Sequence, residues 1–124
     1  MYDISIIIVS WNAKKHLINC LCSLMGNKQD YSQEIVVVDN DSADGSAEMV
    51  GKDYPNIRLI RNQENLGFAK ANNIGIKASN GKYLALVNSD IIVIGDCIGK
   101  MIEYMDNNPS VGMAGPKILN SDRS

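Results

Sequence analysis

Four short apolar runs punctuate the chain: Ile4–Val9, Glu34–Val38, Ile57–Ile60 and Tyr83–Val87. They are rich in β-branched residues and lack apolar/polar alternation, as strands buried on both faces of a parallel sheet do. Between them the period becomes helical. Leu17, Cys20, Leu21, Leu24 and Met25 share one face of a segment that Asn12 can cap and Gly26 can end. Ser42 or Asp44 can cap a shorter helix through Val50, ended near Gly51. Phe68, Ala71, Asn72, Gly75 and Ile76 recur at helical spacing ahead of Asn80-Gly81. Ile98, Met101, Ile102 and Met105 make a fourth stripe that stops before Pro109. A short apolar piece, Ile91–Ile94, and a last strand near Val111–Ala114 complete the order. The alternation predicts an α/β fold, a mostly parallel open sheet with helices on both faces.

Composition narrows the class. The chain has 124 residues, 45% hydrophobic and 21% charged, a balance for one globular domain rather than a disordered segment. Lys and Arg total 12 against 14 Asp and Glu, which argues against a general nucleic-acid binder. No apolar run approaches the roughly 20 residues of a membrane span, and the start lacks a secretory pattern, so a cytoplasmic location is expected. Cys20, Cys22 and Cys97 are odd in number and His16 is the single histidine. Reduced thiols fit that pattern better than staples or a metal site.

In open α/β sheets ligands bind beyond the carboxyl ends of the strands, where strand order switches. Those ends read Ser10-Trp11-Asn12, Asp39-Asn40-Asp41-Ser42, Asn62 through Gly67, and Asn88-Ser89-Asp90. Asn, Asp and Ser also make ordinary turns and caps. Four polar tips at one end nevertheless argue for a shared polar ligand. A dinucleotide fingerprint needs glycines directly after the first strand, and none is there. Gly81-Lys82-Tyr83 precedes a strand instead of opening a helix, so it is no P-loop. A diphosphate would then need a hard metal ion with oxygen ligands, for which Asp90 is best placed. Asp39 can accept a hydrogen bond from a base or ribose.

Five segments in order resemble family 2 glycosyltransferases of the GT-A fold. They are Ile4 to Asn12, Val38-Asp39-Asn40-Asp41-Ser42-Ala43-Asp44-Gly45-Ser46, Asn65-Leu66-Gly67-Phe68-Ala69-Lys70-Ala71-Asn72-Asn73-Ile74-Gly75, Gly81 to Asp90, and Val111 to Lys117. The likeness is to the rhamnosyltransferase-like branch that builds surface polysaccharides. The resemblance implies a UDP- or dTDP-sugar donor, a saccharide or lipid-linked acceptor, and transfer with inversion. It implies that Ser10 and Asn12 lie along the nucleotide and that Asp39 faces uracil or thymine through N3–H. Asn65, Gly67 and Asn72 would border the nucleotide. Ser89 and Asp90 occupy the family's D-x-D region, where Ser89 would contact the nucleotide and Asp90 would bind Mg²⁺ or Mn²⁺ bridging the diphosphate. Asn88-Ser89-Asp90 carries one carboxylate where the full motif has two, so metal should bind weakly without nucleotide.

Inverting transfer needs a general base near the acceptor hydroxyl. The carboxylates after Asp90 are Asp96, Glu103, Asp106 and Asp122. Asp96 reads as a helix cap, Glu103 and Asp106 as a solvated helix face, and Asp122 as part of a polar tail. No catalytic residue is assigned. Residues 1–124 are expected to be a single nucleotide-sugar-binding domain, the truncated N-terminal part of a longer enzyme, inactive alone. Other parts could bring that enzyme to the inner face of a membrane. Truncation should leave a sheet edge and an apolar patch through which copies self-associate. Trp11 either stacks on a ligand or packs against the next helix. His16, Arg61 and Lys70 read as surface charges, and the six methionines as helical core. Two alternatives remain: a module that only binds nucleotide, and a phosphoryl-receiver signalling domain. The receiver would need a carboxylate pair after the first strand, where Ser10-Trp11-Asn12 stands.

Overall fold

The structure is a computed structural model and describes residues 2–26, 30–93 and 96–109. Its strands are β1 (Tyr2–Ser10), β2 (Gln33–Asp39), β3 (Arg58–Arg61) and β4 (Gly81–Asn88). Its helices are α1 (Lys14–Met25), α2 (Ser46–Asp53), α3 (Phe68–Ala78) and α4 (Cys97–Asn107). The four strands form one parallel sheet in the order β3-β2-β1-β4. The expected strand at Val111–Ala114 lies outside the described residues, as does Asp122.

The sheet has helices on both faces, as expected. Ile4, Ile6 and Ile8 of β1 with Ile35 and Val37 of β2 pack under Leu17, Leu21 and Leu24 of α1, Met49 and Val50 of α2 and Ile98 of α4. Ile7, Val9, Val36 and Val38 face the other way and meet Ala71 of α3. The unbroken apolar runs of β1 and β2 are therefore explained by burial on two sides. Gly75 lets α3 lie close on the sheet, since a Cβ there would stand 2.6 Å from Ile7 Cγ2.

Several expectations need correction. The Tyr83–Val87 run is not buried on both faces. Tyr83, Ala85 and Val87 pack against the α1 and α4 side, while Leu84 and Leu86 are 47% and 53% exposed. The reason is that α3 packs on β1 and β2, and β4 is an edge strand among the described residues. Asn12 does not cap α1. It adopts φ 48°, and Ala13 takes the N-cap position. Gly51 does not end α2, which runs on to Asp53 until Pro55 biases Tyr54 away from helical backbone. Of the described methionines, Met49 is buried and Met25 is exposed, so the methionine stripe is only partly core.

Candidate functional site

Parallel pairing sets the strand ends level. Val9 lies opposite Asn88, Ser10 opposite Asp39, and Asp39 opposite Arg61. Strand order switches between β1 and β4, the position at which α/β sheets open a ligand crevice.

Asp39 and Ser10 are buried at this end, 3% and 1% exposed. Asp39 Oδ2 accepts a hydrogen bond from the Ser42 amide at 2.9 Å. Asp39 Oδ1 and Ser10 Oγ are buried with no hydrogen-bond partner. A carboxylate oxygen left so is costly, because it has lost water and gained no donor.

The loops after β1 and β2 are clasped together. The Asn12 amide donates to Ser42 Oγ at 2.9 Å, and the Ala43 amide donates to Asn12 Oδ1 at 2.7 Å. The Lys14 amide donates to Asp44 Oδ2 at 3.0 Å. Asp44 Oδ1 accepts from the Ser46 amide and hydroxyl, so one carboxylate serves the first turns of α1 and α2. The Ser46 hydroxyl, foremost, holds the Asp44 carboxyl below the usual carboxylate range. Asn12 and Asp41 take left-handed backbone, φ 48° and 64°, which is uncommon for residues with a Cβ. The Asn12 carbonyl oxygen is thus committed to the loop after β2, and its exposed amide nitrogen is left to face solvent or ligand.

The connection from β3 to α3 folds around Asn40. Asn62 Nδ2 donates to Asn40 Oδ1 at 2.8 Å, and Asn40 Nδ2 donates to the Gly67 carbonyl at 3.2 Å. Asn65 Oδ1 accepts from the Gly67 amide at 2.9 Å. Gly67 holds φ 84°, ψ 169°, a region that glycine alone enters freely. Asn65 and Gly67 are exposed at the tip, whereas Asn72 is 4% exposed within α3.

At the fourth tip the Ile91 amide donates to the Asn88 carbonyl at 3.1 Å, closing a turn that carries Ser89 and an exposed Asp90. Beneath it, burial and then the Asp90 charge push the Cys20 thiol up to about 11. Cys20 Sγ lies 3.9 Å from the Asn88 carbonyl oxygen. Cys20 is therefore a protonated core group, and all three cysteines are free. Among the described residues no three His, Cys, Asp or Glu side chains converge as a metal cage. Asp90 offers one carboxylate. That donor set fits a Mg²⁺-like ion that keeps waters and takes further oxygens from a diphosphate, and not an ion held by protein alone.

Trp11 and Phe68, at the same end of the sheet, are 54% and 55% exposed. Trp11 is not packed away against α1. Arg61 also stands at this end, opposite Asp39. Arg61 pairs with Glu48 at 2.7 Å, and His16 and Lys70 are exposed. Asp106 accepts from Lys82 Nζ at 2.9 Å and Tyr83 hydroxyl at 2.6 Å, tying α4 to the start of β4 at the far end from the tips. Asp106 is exposed on the solvated face of α4, as expected, and forms its bonds there. Asp96 takes the N-cap position of α4 without a side-chain cap bond, and Glu103 is exposed. The residue that sequence reasoning passed over is Asn40. It sits inside the Val38–Ser46 segment, but an Asn after a strand reads first as turn chemistry.

Comparison with known proteins adds to this geometry. The family model described as glycosyl transferase family 2 matches residues 5–123. An uncharacterized glycosyltransferase of Haemophilus influenzae is 30% identical over 115 residues, 90% of this chain and 35% of that protein. The Escherichia coli UDP-Glc:alpha-D-GlcNAc-diphosphoundecaprenol beta-1,3-glucosyltransferase WfgD is 31% identical over 98% of this chain and 48% of its own length. The structure of the Pyrobaculum calidifontis mannosyltransferase PcManGT, in complex with GDP-Man and Mn²⁺, has a TM-score of 0.79 at 23% identity. That likeness covers 90% of this chain and 34% of the mannosyltransferase. The chain spans about a third of the length of the first curated relatives it matches.

Proposed function

The chain belongs to glycosyl transferase family 2, and from that premise we propose that residues 1–124 are the nucleotide-sugar-binding portion of a longer glycosyltransferase. The donor is a UDP- or dTDP-sugar and the acceptor a saccharide or lipid-linked saccharide, with transfer by inversion. The observation that carries this reading is Asp39 Oδ1, a buried carboxylate oxygen without a donor at the switch-point end of the sheet. The N3–H of uracil or thymine supplies the missing donor. Exposed Trp11 offers an aromatic face for stacking on the bound donor. Asn12 Nδ2, Asn65 and Gly67 line the nucleotide, while buried Ser10 and Asn72 act from behind it.

Asp90, beside Ser89, would be the protein's ligand to Mg²⁺ or Mn²⁺. When bound, that ion would neutralise the departing nucleoside diphosphate. WfgD's name carries a UDP-sugar and the mannosyltransferase structure holds Mn²⁺, which supports this assignment of donor and metal classes. The base that takes the acceptor proton comes from outside this stretch, so the chain alone binds donor without transferring sugar. Among the described residues no helix is long and apolar enough to cross a membrane. A cytoplasmic location, at the inner membrane face through other parts, goes with a lipid-linked acceptor.

Titration calorimetry with UDP, dTDP and GDP in the presence of Mg²⁺ tests the reading. UDP or dTDP should bind, and Asp39→Ala should weaken binding by about 1.5–3 kcal/mol, the range for a hydrogen bond to a charged group. Absence of binding, or equal binding by the variant, would refute it.

A further inference from the structure

Asn40 is 2% exposed, and its side chain is spent entirely on one loop. Oδ1 accepts from Asn62 Nδ2 at 2.8 Å and, at 3.5 Å, from the Leu66 amide; Nδ2 donates to the Gly67 carbonyl at 3.2 Å. Asn62 is the residue after β3 and Gly67 the residue before α3. One carboxamide therefore grips both ends of the connection. Its own backbone is fixed too. The Asn40 amide donates to the Ser10 carbonyl at 2.9 Å, and the Asn62 amide donates to the Asp39 carbonyl at 2.9 Å.

We infer that Asn40 is a positioning residue that fastens the Asn62–Gly67 loop and the start of α3 to the β2 tip, so that Asp39, Asn65 and Gly67 meet the nucleotide as one rigid unit. This rests on the donor-binding reading above. Asn40 cannot touch the ligand itself, since it is buried and both functional atoms are engaged. The position needs a donor and an acceptor on one short side chain. Aspartate has the same shape but no donor for the Gly67 carbonyl, and two oxygens would then face each other. Serine is too short to serve both Asn62 and Gly67. Ordering the loop before the nucleotide arrives spares binding the entropy of ordering it.

The test compares wild type, Asn40→Asp, Asn62→Ala and the double variant, using UDP with Mg²⁺ and following calorimetry and Trp11 fluorescence. Asn40→Asp should melt lower than wild type but remain folded at 25 °C by circular dichroism, and bind UDP about tenfold more weakly, the effect of about one or two lost hydrogen bonds. Asn62→Ala should cost less. The double variant should bind no more weakly than Asn40→Asp alone, because both changes release the same loop. Wild-type affinity in Asn40→Asp, or losses that simply multiply, would overturn the inference. A wild type that binds neither UDP nor dTDP would instead sink the donor-binding reading. The inference is then read from the free protein by NMR, as it also is if Asn40→Asp fails to fold. The Asn40 side-chain NH₂ pair of wild type should be shifted and slow to exchange. Random-coil shifts and free exchange there would count decisively against it.

Discussion

Asp39 and Asp90 flank β1 on the tips of β2 and β4, in opposite settings. Asp39 is buried with one oxygen bonded to Ser42 and one orphaned, while Asp90 is exposed on a turn. A buried acceptor is selective, since it rewards only a donor that fits. An exposed carboxylate gains most from a multivalent cation that brings its own water. Mg²⁺ should therefore raise UDP affinity, and UDP should raise Mg²⁺ affinity by the same factor. In Asp90→Asn this mutual gain should fall to near one in calorimetric titrations of each ligand with and without the other. A variant that keeps the full gain would place the ion elsewhere. At this scale the sequence placed Asp39 and Asp90 correctly at strand ends, because the apolar runs before them mark where the strands stop. It was misleading where ordinary turn residues take on long-range work. Asn12 suits a local cap, yet its carbonyl oxygen receives the Ala43 amide thirty-one residues away. No periodicity in the sequence encodes that partner.

Two of the points where elements meet carry measurable weight. Asp44 joins the first turns of α1 and α2, and replacing a capping carboxylate with alanine costs about 0.5–2 kcal/mol. Asp44→Ala should lower stability within that range at pH 7 in urea unfolding. The folded-state pKa of Asp44 is depressed, so its contribution is present above the unfolded carboxylate range and is lost as pH falls through the folded value. The difference between wild type and Asp44→Ala should accordingly shrink toward strong acid, and a difference independent of pH would contradict the assignment. Gly75 is the second point. In Gly75→Ala the new methyl meets Ile7 Cγ2 at 2.6 Å and Val38 Cγ2 at 3.2 Å. The overpacking cost of about 1–3 kcal/mol should exceed the helix-propensity gain of up to about 1 kcal/mol, giving net destabilisation by thermal melting. A stabilised variant would mean that α3 can lift from the sheet freely. Elements were the most legible level of this chain. Apolar runs and helical stripes located every described strand and helix, because burial against a sheet imposes a period on the residues. Ends were less legible, since Pro55 outweighed Gly51 in stopping α2.

For the molecule as a whole, the uneven cover of the sheet matters most. Leu84 and Leu86 stand side by side on the bare face of the edge strand β4, with Ile91 and Ile92 exposed beyond its tip. Exposed apolar edges pair with other chains. This chain should self-associate at high concentration, and Leu84→Lys with Leu86→Lys should shift sedimentation toward monomer without lowering the thermal midpoint. Monomeric wild type at the same concentration would exclude the edge as the cause. That bareness was not legible in the local sequence. Tyr83–Val87 is as apolar as the central strands, and only the position of α3 decides which side is covered. The side of the sheet on which α4 lies also limits how the sheet can grow. α4 shares a face with α1 and α2, although β4 sits across β1 from β2. Right-handed crossovers use that face when stepping from β1 toward β3, and the α3 face when stepping outward past β4. A strand fed by α4 and laid parallel outside β4 would close a left-handed loop, which α/β sheets almost never contain. Any strand added at the outer edge of β4 would therefore have to run antiparallel, or follow a stretch that first crosses to the α3 face. Chirality alone makes β4 the seam at which an all-parallel sheet can become mixed.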